Sequence, residues 1–128
     1  KLQAVRGTEL KIFNANSATL LKSLQLGAAG FSGVMANFHP ELYVWLTRNH
    51  ADRPDEAEKL MSMLGVASFI EKQVYPVNAK YHLMLEGVAG SLRCRVRDAA
   101  EFTATNRLEV EQLRRLTSIF SESFPLGG

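Results

Sequence analysis

The chain has one cysteine, Cys94, and a single thiol cannot close an internal disulfide. Its stability must come from a packed core, and a reducing, cytoplasmic setting is the expectation. No apolar run approaches the ~18 residues that a membrane-spanning helix needs, and no signal-like segment opens the sequence. Charge of one sign is scarce too. The 15 Lys and Arg nearly balance the 13 Asp and Glu, for a net +2. The densest basic run, Arg93-Cys94-Arg95-Val96-Arg97, has no interleaved aromatic and is followed closely by Asp98 and Glu101. Nucleic-acid footprints cluster many more cations, so a solvated loop, or one pairing with carboxylates, is the better account and no nucleic-acid partner is expected. His39, His50 and His82 lie far apart, with no Cys or carboxylate at metal-ligand spacing, so neither a metal nor a histidine triad is expected. Cys94 has arginines beside it but no paired base, which argues against nucleophilic chemistry there.

Strand-forming segments are also few. Lys11-Ile12-Phe13-Asn14-Ala15-Asn16-Ser17 and Gly30-Phe31-Ser32-Gly33-Val34-Met35 each read as a short buried strand ending in small or polar residues. Between them Leu20, Leu21 and Leu24 keep helical spacing, and Gly27 closes that helix. The pattern predicts a βαβ unit with parallel strands at Leu10–Asn14 and Gly30–Met35. In such folds ligands sit at the carboxyl ends of the strands. Asn14, Asn16 and Ser32 stand there, while Ser17 reads as the cap of the next helix. His39 reads as an exposed loop residue.

Everything after Pro40 is helical in pattern. Pro40 with Glu41, and Pro54 with Asp55 and Glu56, mark two helix starts. The first carries Leu42, Trp45 and Leu46. The second carries Leu60, Met61, Leu64, Ala67 and Ile70, and its Gly65 suggests close packing against a neighbour. Tyr43, Trp45, Met61 and Met63 read as core residues. Pro76 opens a third helix that ends at Gly87, a loop follows to about Thr103, and Asn106 with Glu109 resembles a capping box for the last helix. Leu113, Leu116 and Phe120 make its expected buried stripe, and Phe124–Gly128 is expected to fray. Leu2, Ala4 and Val5 read as the tail of a helix already under way. Two parallel strands do not complete a sheet, so further strands are expected upstream of Lys1 or from another copy.

Three segments carry a family resemblance: Gln25-Leu26-Gly27, Gly30-Phe31-Ser32-Gly33-Val34-Met35-Ala36-Asn37, and Tyr75-Pro76-Val77-Asn78-Ala79-Lys80 with Gly87 behind it. From about Ile12 to Lys80 the chain resembles the carboxyl-terminal half of the dihydrodipicolinate synthase and N-acetylneuraminate lyase family. There the corresponding patterns read G-x-x-G-x-x-S-x-x-x-N and N-P-x-x-x-K. The resemblance implies an α/β fold: the last two βα units of a (β/α)8 TIM barrel over residues 1–52, then a helical carboxyl-terminal extension over 53–128. It implies a class I lyase or aldolase that forms or cleaves a carbon–carbon bond next to a 2-oxo acid, commonly pyruvate, with an aldehyde as the second small-molecule partner. No cofactor is implied, and homo-oligomers are. The Schiff-base lysine belongs upstream of Lys1, so no catalytic residue is expected here. Asn14, Ala15, Asn16, Ser32 and Gly33 are the expected substrate-binding wall, and Lys80 is expected to tie the extension to the barrel. Where the family has a Gly followed by carboxylates, this chain has Ala15-Asn16-Ser17, which removes acceptors for substrate hydroxyls. Two other readings stand beside this one: a non-catalytic assembly module, and a small-molecule-binding α/β domain.

Overall fold

The structure, a computed structural model, describes residues 1–125. Strands β1 (Phe13–Asn14) and β2 (Gly30–Phe31) run parallel, Phe13 opposite Gly30 and Asn14 opposite Phe31, with helix α1 (Leu20–Gln25) crossing between them. Bonds from Ala29 N to Ile12 O (2.8 Å) and from Ser32 N to Asn14 O (2.9 Å) extend the pairing at each end. The chain is thus a mixed α/β fold, mostly helical, with one parallel pair.

Both strands are shorter than the sequence suggested. Val34–Asn37 is a 3-10 turn, not a continuation of β2: Ala36 N bonds to Gly33 O, and Phe38 N to Met35 O. A strand lasts as long as its ladder partner, and β1 turns away at Asn16, whose side chain caps a 3-10 turn over Ser17–Thr19. Asn16, not Ser17, is therefore the cap. Gln3–Val5 forms one 3-10 turn where a helix tail was expected.

The proline-marked helices start as predicted. Helices α2 (Pro40–Asn49) and α3 (Pro54–Glu71) carry Pro in the first turn with acidic residues beside it. Helix α4 (Val77–Leu85) ends before Gly87, whose φ of 75° favours glycine at that position. Helix α5 (Ala104–Ser123) begins one turn earlier than the Asn106–Glu109 reading implied. Thr103 is its cap and Asn106 completes the box, with Asn106 Oδ1 accepting from Thr103 N. Its buried stripe is Val110, Leu113 and Thr117; Leu116 is exposed and Phe120 half-buried, so the expected stripe was rotated.

One apolar cluster joins residues on both sides of position 52: Leu20, Leu24, Leu42 and Trp45 pack with Leu60 and Leu113. Phe124 does not fray but is buried edge-on to Trp45, ring centres 4.6 Å apart; the rest of the tail expected to fray, 126–128, lies outside the described residues. Asn78 fastens α4 to the end of α3, its Nδ2 donating to the carbonyls of Ile70 (3.2 Å) and Glu71 (2.8 Å).

Gly65 of α3 does face a neighbour, the turn at Ala18. A Cβ built on Gly65 would lie 3.9 Å from the Ala18 Cα, ordinary van der Waals contact. Alanine fits and is the better helix former. Gly65→Ala should leave the fold intact and raise the unfolding free energy by up to ~1 kcal/mol in a urea titration; a loss of that size would show the α3–turn contact to be tighter than this.

Candidate functional site

The five residues expected to form the binding wall come together at the carboxyl ends of β1 and β2. Ser32 N bonds to Asn14 O, and a Cβ on Gly33 would lie 2.7 Å from the Ala15 carbonyl oxygen and 2.4 Å from the Phe31 ring. Gly33 has extended backbone (φ −133°, ψ 158°), so crowding and not torsion excludes a side chain. Ala15, Asn16 and Ser32 are exposed, and Asn14 is half-buried.

Local bonds occupy most of the Asn14 side chain. Its Nδ2 donates to Thr19 Oγ1 (3.0 Å) and Ser23 Oγ (2.6 Å), and its Oδ1 accepts from Asn16 N (2.8 Å). Asn16 Oδ1 accepts from Ala18 N. The Asn16 Nδ2 hydrogens and the Ser32 hydroxyl are the side-chain groups here with no bond to another described residue.

Beneath this wall lies a buried polar row that the sequence reading missed. Ser17 Oγ and Tyr43 Oη are 2.6 Å apart, and the Tyr43 ring stacks on Phe31 with centres 4.0 Å apart. Burial, then the Glu71 charge, pushes the Tyr43 phenol above its ordinary value, and the Ser17 bond only partly offsets this, so Tyr43 stays neutral. His39 is 0% exposed, not a loop-surface residue. Its Nε2 lies 2.6 Å from Glu71 Oε1, with Glu71 also 0% exposed, and its Nδ1 lies 3.1 Å from Thr117 Oγ1. Despite that distance, His39 Nε2 and the two Glu71 carboxyl oxygens make no aligned hydrogen bond with each other or with another described residue.

Carboxylate, imidazole and hydroxyl in a row is the arrangement that activates nucleophiles. Thr117, however, sits in the middle of α5 and is 7% exposed. The row locks α2, α3 and α5 together. Glu71 and Thr117 each continue an apolar stripe at helical spacing: Leu60, Leu64, Ala67, Glu71 on α3 and Val110, Leu113, Thr117 on α5. A polar residue on a buried stripe was the signal available in the sequence.

Beside the lock, a cavity of about 380 Å³ is lined by Pro40, Glu41, His82, Glu86, Arg114 and Ser121, among others. Arg114 pairs with Glu86 and holds that carboxyl below its ordinary range. His82 is buried, and its Nδ1 has no partner among the described residues. Burial lowers the His82 pKa; Glu86 and Glu41 oppose the shift, and His39 and Arg114 reinforce it.

Lys80 donates from Nζ to the Arg93 carbonyl, so it ties α4 to the following loop and not to the strand pair. Lys11, Lys22, Lys59 and Lys72 are exposed. Cys94 is half-buried, its Sγ 3.3 Å from the Leu92 carbonyl. Among the described residues no cluster of His, Cys, Asp and Glu could hold a metal, and no helix is long and apolar enough to cross a membrane. Compared with family models, with curated proteins and with solved structures, the chain matches none.

Two measurements follow from the buried groups. Leucine at His39 or at Glu71 alone strands the remaining polar partner, and either change should cost about 3–5 kcal/mol in denaturant unfolding. The double substitution should cost clearly less than the sum, and strict additivity would show the two side chains to be independent. For His82, the folded chain binds fewer protons than the unfolded chain just below the ordinary value of 6.5. Its contribution to stability is full above that pH and declines as pH falls through the window below it. The variant His82→Asn should flatten that part of the curve of unfolding free energy against pH; an unchanged slope would assign the proton uptake to other groups.

Proposed function

We propose that this chain is the carboxyl-terminal part of a dihydrodipicolinate synthase-like lyase or aldolase. The whole protein forms or cleaves a carbon–carbon bond next to a 2-oxo acid, with pyruvate the leading choice, through a lysine carried on a strand upstream of Lys1. The chemistry needs neither metal nor organic cofactor. A lysine amine condenses with the ketone and releases water, and the protonated imine accepts the electron pair when the neighbouring carbon–carbon bond breaks.

The observation that supports this reading is the meeting of the motif-bearing end of β2 with the end of β1, where the chain departs from the family pattern. The ends of β1 and β2 lie side by side in a parallel βαβ unit, Ala15 against Gly33, the end of a parallel α/β fold where ligands bind. Asn16 Nδ2 and the Ser32 hydroxyl are donors suited to a carboxylate or hydroxyl. The extension of α3, α4 and α5 then acts as a buttress, because His39, at the entry to α2, is held by Glu71 of α3 and Thr117 of α5.

Borohydride reduction with pyruvate tests the reading. The 128-residue chain should gain no pyruvate adduct on any lysine, since none stands at a strand end. A longer protein containing this chain should be labelled on one lysine that precedes Lys1. An adduct on Lys80 or any other lysine of this chain would sink the proposal, and so would a longer protein that takes no label.

A further inference from the structure

The chain between α4 and α5 is held at its two ends and free in the middle. Leu92 and Cys94 pack against the small cluster of Val77, Phe102 and Val110, and Lys80 Nζ donates to the Arg93 carbonyl. At the other end Arg97 pairs with Glu101, whose carboxylate also accepts from Asp98 N (3.3 Å). Among the described residues no backbone-to-backbone hydrogen bond involves residues 90–97, and no side chain bonds the backbone from Arg95 to Arg97. The chain bends there and presents Val96, 80% exposed, with Arg95 exposed beside it. The Arg95 guanidinium is in no ion pair among the described residues.

A peptide bond is open to a protease where its backbone can leave its neighbours without breaking hydrogen bonds or unpacking a core. Proteases of the trypsin kind also require a cationic side chain for the carboxylate in their specificity pocket. Arg95–Val96 meets both conditions. Elsewhere inside the chain a cation meets one at most. Arg48, Lys59, Arg107 and Arg115 lie within helices. Arg6 N and Arg53 N donate to the carbonyls of Gln3 and Asn49, and Pro54 follows Arg53. Lys72 N donates to Ser68 O, and Lys11 precedes Ile12, whose carbonyl accepts from Ala29 N. Of the two neighbouring arginines, Arg93 has its carbonyl engaged and Arg97 its side chain.

A cut at that bond leaves the seat of α5 untouched. Thr117 Oγ1 lies 3.1 Å from His39 Nδ1, Tyr81 Oη donates to Glu111 Oε1 (2.5 Å), and Asn106 Nδ2 donates to Gln73 Oε1 (2.9 Å). Leu113 and Phe124 are buried in the main cluster, and Phe102 and Val110 in the smaller one. None of these contacts needs the chain to be continuous from Arg95 to Val96.

We propose that the α4–α5 connection is a processing site. A trypsin-like serine protease hydrolyses the Arg95–Val96 bond of the folded chain, consuming one water and leaving a carboxylate on Arg95 and an amine on Val96. The piece 96–128 then stays seated on the piece 1–95. The lyase reading, which concerns the strand ends, has no part in this.

Limited digestion of the 128-residue chain with trypsin tests it, followed over time by intact mass, size-exclusion chromatography and far-UV circular dichroism. The first internal cut should fall after Arg95, and the pieces 1–95 and 96–128 should co-elute with the helical signal retained. Arg95→Gln should abolish that product and leave any cut in the connection at least tenfold slower. Arg115→Gln, which removes an exposed cation from within a helix, should leave the rate of the first cut within about twofold. A first internal cut anywhere else, Arg93 and Arg97 included, overturns the proposal, and so does simultaneous cutting at many sites. Pieces that separate on the column, or lose their helical signal when the bond is cut, overturn it as well. Equal slowing by Arg95→Gln and Arg115→Gln would do the same, since exposure of charge and not the free backbone would then govern the cut.

Discussion

The contact between the His39 imidazole and the Glu71 carboxylate is what the remaining geometry depends on. Both groups are withdrawn from water, and desolvating them is costly unless each finds the other. His39 is also the residue through which the chain passes from the turn after β2 into α2. Fixing its ring against Glu71 of α3 and Thr117 of α5 fixes where α2 begins, and so where the strand end before it must lie. Asn78 adds a second hold on the same point, bonding the Glu71 carbonyl from α4.

The strand ends are therefore set by helices. Two two-residue strands share few ladder bonds, and each is worth only about 1 kcal/mol net. Burying a Leu or Trp of the size found in α2 contributes about 1.5–3 kcal/mol, and Leu42, Trp45 and Leu46 are all buried there. Packing wins by magnitude. Tyr43 carries that rigidity to both strands at once, through its bond to Ser17 beyond β1 and its stacking on Phe31 of β2. The wall of Ala15 and Gly33 is thus supported from below by a phenol that burial keeps neutral, and a neutral phenol can share a hydrogen bond with a serine hydroxyl without bringing a charge into the core.

Much of this could be read in advance, and each failure has its own physical cause. Pro40, Pro54, Gly27 and Gly87 act through local backbone geometry, so they marked helix boundaries from sequence alone. The parallel pair and the meeting of Asn14, Ala15, Asn16, Ser32 and Gly33 were legible because the βαβ pattern constrains them. Strand length was not, since it depends on where a partner strand turns away. His39 was read as a surface residue because its partners are Glu71 and Thr117, far along the chain. The caps were misassigned for a smaller reason: Asn16 and Ser17, like Thr103 and Asn106, are neighbouring residues with similar capping chemistry, and only geometry chooses between them.

The rotation of the α5 stripe has a different origin. Apolarity favoured Leu113, Leu116 and Phe120, yet the fold turns Thr117 inward because His39 offers its hydroxyl a partner, and Leu116 outward as a result. Helix α5 consequently carries apolar residues over more of its circumference than its packing against α3 and α4 covers.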